Sequence, residues 1–139
     1  MRPGPDPAAA RVPAGFAVVT PYLLVDSTGD YARFLVAAFG GVELGRSTEP
    51  DGRVANCQIR IEGQTIMISD ASAAFPASAA MFCLYVADAD AATARAIAAG
   101  AASIMAVADM PYGDRQGGVR DPAGTIWWIT ERRSDAAYF

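Results

Sequence analysis

The sequence predicts an α+β fold of two tandem βαβββ modules, and three observations predict it. Past the first fifteen residues the chain repeats itself: Leu23 and Leu84, Val25 and Val86, Gly63 and Gly124, and Ile68 and Ile129 each stand 61 positions apart, and Gly40 and Gly100 stand 60 apart. Two copies are too few to stack as a solenoid, so the repeat reads as a duplicated module. Each copy also runs one strand pattern, one helix with an apolar stripe, and three further strand patterns. Turn signals separate those strands, so each module forms a small sheet packed on its own helix.

The first fifteen residues, MRPGPDPAAARVPAG, hold four prolines and no apolar run long enough for a signal peptide. They read as a flexible tail before a single domain over 16–139, with modules at about 16–72 and 80–132. In the first module VVTPYLLV is a strand and DSTGDYARFLVAAFGG a helix, with Tyr31, Phe34, Leu35, Ala38 and Phe39 on one stripe. Ser27 or Thr28 caps its start and Gly40 ends it. The strands VELGRSTE, NCQIRI and TIMISD follow, with turns at Asp51–Gly52 and Glu62–Gly63. In the second module MFCLYV is a strand, DADAATARAIAAG an Asp-capped helix, and SIMAVADM, QGGVRD and TIWWITE the remaining strands. Between the last two, Asp121, Pro122 and Gly124 occupy the first, second and fourth places of a type I turn.

Strand alternation sorts the side chains onto two faces. Val19, Leu23, Val25, Ile66, Ile68, Phe82, Leu84, Val86, Trp127 and Ile129 form a wholly apolar set, expected beneath the helices. The opposite set is mixed: Thr20, Tyr22, Leu24, Asn56, Gln58, Arg60, Thr65 and Met67, then Met81, Cys83, Tyr85, Ile126, Trp128 and Thr130. Solvent would call for charges rather than two Met, two Tyr and a Trp, and a closed core would not hold Asn, Gln and Arg. An apolar wall with a few placed polar groups is the make-up of a ligand pocket. Trp128 is therefore expected to line a cleft between modules or an interface with a second subunit. The cluster YGDR (Tyr112 to Arg115) reads either as a hairpin with a surface ion pair or as a contact at the cleft mouth.

Composition bounds the chemistry. The chain of 139 residues suffices for one full core. Its net charge is −4, and its eleven basic residues, all arginine, form no stripe that would track phosphates, so nucleic acid is excluded as a partner. Nothing approaches a membrane span. Cys57 and Cys83 read as reduced core residues of a cytoplasmic protein. There is no histidine, which removes Ser–His–Asp and Cys–His catalysis.

The segments TPYLLVD, DYARFLVAAFGG, DGRVANCQIRIEG and YGDRQGGVRDPAGTIWW, in this βαβββ–βαβββ order, resemble the vicinal oxygen chelate superfamily, which holds glyoxalase I, fosfomycin resistance enzymes, extradiol dioxygenases and bleomycin resistance proteins, and within it the PhnB-like branch. The resemblance implies a cup-shaped mixed sheet with helices on its outer face. In the enzymes of that group His, Glu or Gln hold a divalent metal, and by pattern those positions fall here on Thr20, Met67, Met81 and Trp128. None is a competent ligand for a hard or borderline cation. No metal and no other cofactor is expected, and Asn56 and Gln58 offer no titratable base.

The metal-free bleomycin-resistance branch implies a binding protein for a small, flat, amphipathic organic molecule, an antibiotic or a metabolite, and a homodimer. The mild net negative charge suits a planar cationic ligand. Trp128, Tyr22 and Tyr85 would supply apolar and cation–π contact beside Met67 and Met81; Asn56, Gln58 and Arg60 would supply hydrogen bonds, with Tyr112 and Arg115 at the rim. Two alternatives stand beside this reading: a metal-independent isomerase, lyase or cyclase in the same cleft, and a structural dimer whose mixed face is only a subunit interface.

Overall fold

The computed structural model describes residues 9–139, so the part of the expected tail at 1–8 lies outside the described residues. The order of elements is β1 (Tyr22–Val25), α1 (Thr28–Phe39), β2 (Val42–Thr48), β3 (Val54–Ile61), β4 (Gln64–Asp70), then β5 (Met81–Tyr85), α2 (Ala89–Ala98), β6 (Ala102–Asp109), β7 (Asp114–Arg120) and β8 (Ile126–Arg132). The duplicated βαβββ module is thus present twice. Each copy forms a four-stranded mixed sheet, ordered β1-β4-β3-β2 and β5-β8-β7-β6. In each the first strand runs parallel to the last, which the intervening helix makes possible, and the other pairs are antiparallel hairpin neighbours.

The first strand is shorter than its apolar pattern. Val18 and Val19 are 79% and 85% exposed, so Val19 does not join the helix-covered face as expected. Proline explains the boundary. Pro21 has no N–H to give a ladder, and only its carbonyl is used, accepting from the Met67 amide at 3.0 Å.

Both helices start by the same device. Ser27 caps α1, its side chain accepting from the Asp30 amide, and Asp88 caps α2 by accepting from Ala91. A carboxylate at the end of each module's last strand adds to this. Asp70 accepts from the Thr28 amide with one oxygen and the Val54 amide with the other, both at 2.9 Å. Glu131, 61 positions on, accepts from the Ala89 amide at 3.0 Å. Each helix is so tied to its own sheet, with negative charge at its positive end. Burial pushes the Asp70 carboxyl up, but the two backbone donors and Arg53 outweigh that and hold it below its ordinary range.

Asp70→Ala is expected to cost about 1–2 kcal/mol at neutral pH, the size of a lost helix cap. Because the folded pKa is depressed, the contribution is present above the ordinary carboxylate range of the unfolded chain and disappears as pH falls through the lower folded value. Urea titrations of both proteins should therefore give stabilities that differ at pH 7 and converge in strong acid.

One core runs through both modules. Tyr31, Phe34, Leu35 and Ala38 of α1 meet Leu23, Val25, Ile59 and Ile68 of their own sheet, and the same cluster includes Val119, Trp127 and Ile129 of the second. Each such large side chain contributes on the order of 1.5–3 kcal/mol. The modules meet through their helices and the aromatic group around Trp127, which packs 4.7 Å from Phe39 and 5.0 Å from Phe82. Among the described residues no strand of one sheet pairs with a strand of the other.

At the turn before β8, buried Asp121 gathers four hydrogen bonds. One oxygen accepts from the Ala123 and Thr125 amides, at 2.9 and 3.0 Å. The other accepts from the Tyr31 hydroxyl of α1 at 2.5 Å and the Trp127 indole at 2.8 Å. Burial, then the Asp121 charge, raises the Tyr31 phenol far above its ordinary range, so it remains a donor. The Gly124 amide donates to the Asp121 carbonyl, closing the expected turn.

Candidate functional site

The helices cover one face of each sheet and leave the other open. Tyr22, Asn56, Gln58 and Met67 come together on the first open face, since the register sets Tyr22 and Gln58 on either side of Met67. Their polar atoms form one chain. The Gln58 amide donates to the Asn56 carbonyl oxygen at 3.2 Å, and Asn56 Nδ2 lies 3.4 Å from the Tyr22 hydroxyl and 3.6 Å from Met67 Sδ. The Tyr22 and Ser69 hydroxyls are 2.5 Å apart, and Ser69 donates to the Ala55 carbonyl at 2.6 Å. Beside them lies a groove of about 670 Å³ lined by Tyr22, Leu24, Arg53, Ala55, Ser69 and Phe75, among others.

Arg60 is at the opposite end of this face, next to the irregular segment before β1. Its guanidinium lies against Gly15 and reaches the Ala14 carbonyl at 3.5 Å, so this part of the expected tail lies alongside the sheet.

The second open face carries Met81, Tyr85 and Trp128. Trp128 pairs with Cys83 of β5 and Gly118 of β7. Its six-membered ring lies so close to Gly118 that a Cβ there would fall 2.5 Å from Cζ3. On the other side of the strand, a Cβ on Gly117 would fall 2.9 Å from the Thr93 hydroxyl of α2. The two consecutive glycines in QGGVRD therefore serve the two faces in turn, one admitting the helix and the other the indole. Cys57 is buried as expected, but Cys83 is exposed and not a core residue. Alternation had already set Cys83 beside Tyr85 and Trp128, on the face turned away from the helices.

Tyr112 and Arg115 part company. Tyr112 turns to the open face, where its hydroxyl donates to Gln116 at 2.8 Å. Arg115 points the other way, to the helix side. It binds the Asp90 carboxylate of α2 through Nε and Nη2, at 2.7 and 3.0 Å, and Asp109 at 3.1 Å. The hydrogen bonds from Arg115 hold Asp90 below the ordinary carboxylate range. Arg115 therefore stands apart from the other nine candidates, because one position along a strand changes the face.

Three residues outside the sequence-derived set join the second face. Asp114, only 3% exposed, accepts from Arg132 at 2.9 Å and from the Tyr138 hydroxyl at 2.7 Å. The Tyr138 and Tyr85 hydroxyls are 2.8 Å apart. The polar residues of YGDR gave a signal for Asp114. Tyr138 lies beyond the last strand, where no periodic pattern marks it.

The donor set does not fit a catalytic metal. Thr20, Met67, Met81 and Trp128 offer a hydroxyl, two thioethers and an indole N–H, and the Thr20 hydroxyl already donates to the Ala17 carbonyl at 2.7 Å. Among the described residues no three His, Cys, Asp or Glu side chains stand together as a metal-binding group. No helix among them is long and apolar enough to cross a membrane.

No hydrogen bond or ring contact crosses from one open face to the other among the described residues; the contacts of Tyr22, Asn56 and Gln58 stay within the first module, and those of Tyr85, Tyr112 and Gln116 within the second. The fold and site together define a protein of duplicated βαβββ modules with two open sheet faces of mixed polarity. The chain belongs to the Glyoxalase/Bleomycin resistance protein/Dioxygenase superfamily, whose sequence model matches residues 5–129.

An uncharacterised protein of Mycobacterium tuberculosis is 36% identical over 120 residues, spanning 78% of this chain and 71% of its own. Among solved structures, TioX from Micromonospora sp. ML1 superposes with a TM-score of 0.71 at 26% identity, over 85% of this chain and 99% of TioX. TnmS3, an antibiotic binding protein from Streptomyces sp. CB03234, superposes with a TM-score of 0.67 over 89% of this chain and 98% of its own; at 22% identity the likeness is one of fold.

Proposed function

We propose that this protein binds a small planar aromatic molecule, an antibiotic or a metabolite, without a metal, in clefts that two copies of the chain build together. The observation that carries the reading is the pair of open faces. Tyr22 is 50%, Tyr85 52%, Met81 60% and Val42 60% exposed, on faces that also hold an organised row of amides and hydroxyls. Apolar area of this kind, rimmed by polar groups, marks a surface made to be covered.

The internal repeat suggests what covers it. A two-fold axis that set the first module's face of one chain against the second module's face of another would do so twice, in one self-complementary contact. Trp128, Tyr85 and Met81 would then stand across from Tyr22, Met67, Asn56 and Gln58. The aromatic rings would take the faces of a flat ligand, the amides would fix its orientation, and the net charge of −4 favours a cationic one. TnmS3, of the same fold, is an antibiotic binding protein.

The test joins two measurements on the purified protein. Light scattering should give twice the mass of the chain. A panel of planar aromatic compounds, with proflavine as its cationic member, should contain compounds that raise the melting temperature in proportion to the logarithm of their concentration. A monomer, or a dimer whose melting temperature no member of the panel moves, overturns the reading.

A further inference from the structure

The end of the second open face holds a tyrosine ring that no sheet or core requires. Tyr138 lies beyond β8 and is 45% exposed, yet every polar atom around its phenol is engaged. Its hydroxyl donates to Asp114 Oδ2 at 2.7 Å, since a carboxylate can only accept. The hydroxyl's lone pair is then free for the Tyr85 hydroxyl, 2.8 Å away, to donate into. The Arg132 guanidinium sits 4.1 Å from the centre of the ring, and the Tyr112 ring meets it edge-on at 6.3 Å.

Part of this cradle is held by bonds that do not involve Tyr138. Arg132 is fixed by Asp114 at 2.9 Å and by the Tyr112 carbonyl at 2.7 Å, and Asp114 is buried in the sheet. Beside the contacts with the Tyr138 ring and hydroxyl, Arg132 also donates to the Ala136 carbonyl, at 2.6 Å, in the segment that carries Tyr138.

The duplication supplies an independent observation. Leu24, Arg53, Ala55 and Ser69 line the 670 Å³ groove of the first module. The residues 61 positions on are Tyr85 and Asp114, which bond the Tyr138 hydroxyl, and Gln116 and Thr130, which bond each other on the same face. One half of the molecule keeps a groove where the other half holds its own phenol.

We propose that this end of the second face is a phenol-recognition subsite, filled by Tyr138 in the free protein, and that a ligand carrying a hydroxylated aromatic ring takes that place by displacing the C-terminal segment. The proposal rests on the reading of the open face as a ligand surface and adds the chemical class of the ligand. A ring without a hydroxyl would leave Oδ2 of buried Asp114 short of a donor, so the subsite discriminates phenol from phenyl. The C-terminal segment competes with the ligand, and every ligand affinity is reduced by the fraction of molecules in which Tyr138 is seated.

The probe is p-cresol, the side chain of tyrosine as a free molecule, with toluene as its control. Calorimetric or NMR titration should show p-cresol binding full-length Tyr138→Ala about ten-fold tighter than the unsubstituted protein, and toluene binding the variant about ten-fold more weakly than p-cresol. Tyr138→Phe, which keeps the ring and loses the hydroxyl, should bind p-cresol with intermediate affinity. Equal p-cresol affinity with and without Tyr138, no p-cresol binding to either protein, or toluene binding the alanine variant as well as p-cresol does would each overturn the proposal. The result is read separately from the larger aromatic panel. Failure of planar compounds to bind would leave the cresol difference untouched, and its absence would leave their binding standing.

Discussion

Asp121→Ala is expected to lose about 2–6 kcal/mol of folding stability, the sum for two buried donors left without an acceptor. The loss has four sources. The Tyr31 hydroxyl, the Trp127 indole and the amides of Ala123 and Thr125 all donate to this one carboxylate. Alanine leaves the first two stranded in the core, and each unsatisfied buried group costs about 1–3 kcal/mol. The damage is also global, because Tyr31 belongs to α1 and Trp127 to β8. Against a total of about 5–15 kcal/mol for a domain, most of the margin disappears. Guanidinium unfolding followed by tryptophan fluorescence checks this, and a loss below about 1 kcal/mol would mean that the network is not what joins the modules.

Trp128→Ala is expected to abolish the ligand-induced rise in melting temperature while the chain stays folded. The adjacent substitution sharpens the test. Trp127 is 3% exposed and packs on Phe39 and Phe82, so Trp127→Ala should cost about 3–5 kcal/mol of stability. Trp128 is half-buried against Gly118 on the open face, and its loss removes a flat contact surface rather than a core. A central aromatic anchor carries about 2 kcal/mol or more of binding, roughly thirty-fold in affinity. Titration of a compound found in the panel would measure it. A Trp128→Ala protein that responds to ligand as before would remove this residue from the site.

The fold was legible because its signals are periodic and doubled. The 61-residue offset identified the module, alternation assigned Trp127 inward and Trp128 outward, and turn chemistry marked the hairpins. The errors have local causes. Val19 fits a strand pattern, but Pro21 removes the donor that would continue the ladder. Cys83 was given a core role on residue type against its own position in the alternation.

Of the candidate site, the row Tyr22, Asn56, Gln58 and Met67 could be read from one strand pattern each, because register follows from hairpin length. Arg115 was drawn in by its neighbours in YGDR although the face changes between 114 and 115. Tyr138 and Arg132 could not be paired from sequence, since a segment that crosses a sheet obeys no period. The arrangement of the two modules was equally silent, because it is decided by shape at the helix contact.

The twin carboxylate latches, Asp70 on α1 and Glu131 on α2, make each half self-sufficient in its backbone bonding. Between the halves the polar links are few: Tyr31 to Asp121, and Arg95 Nε to the Ala37 carbonyl at 2.8 Å. Two chains that traded halves would break no rung of either ladder and would need only to re-form those links and the ring stack around Trp127. The stretch between β4 and β5 is accordingly where the chain divides into two cassettes of the same make.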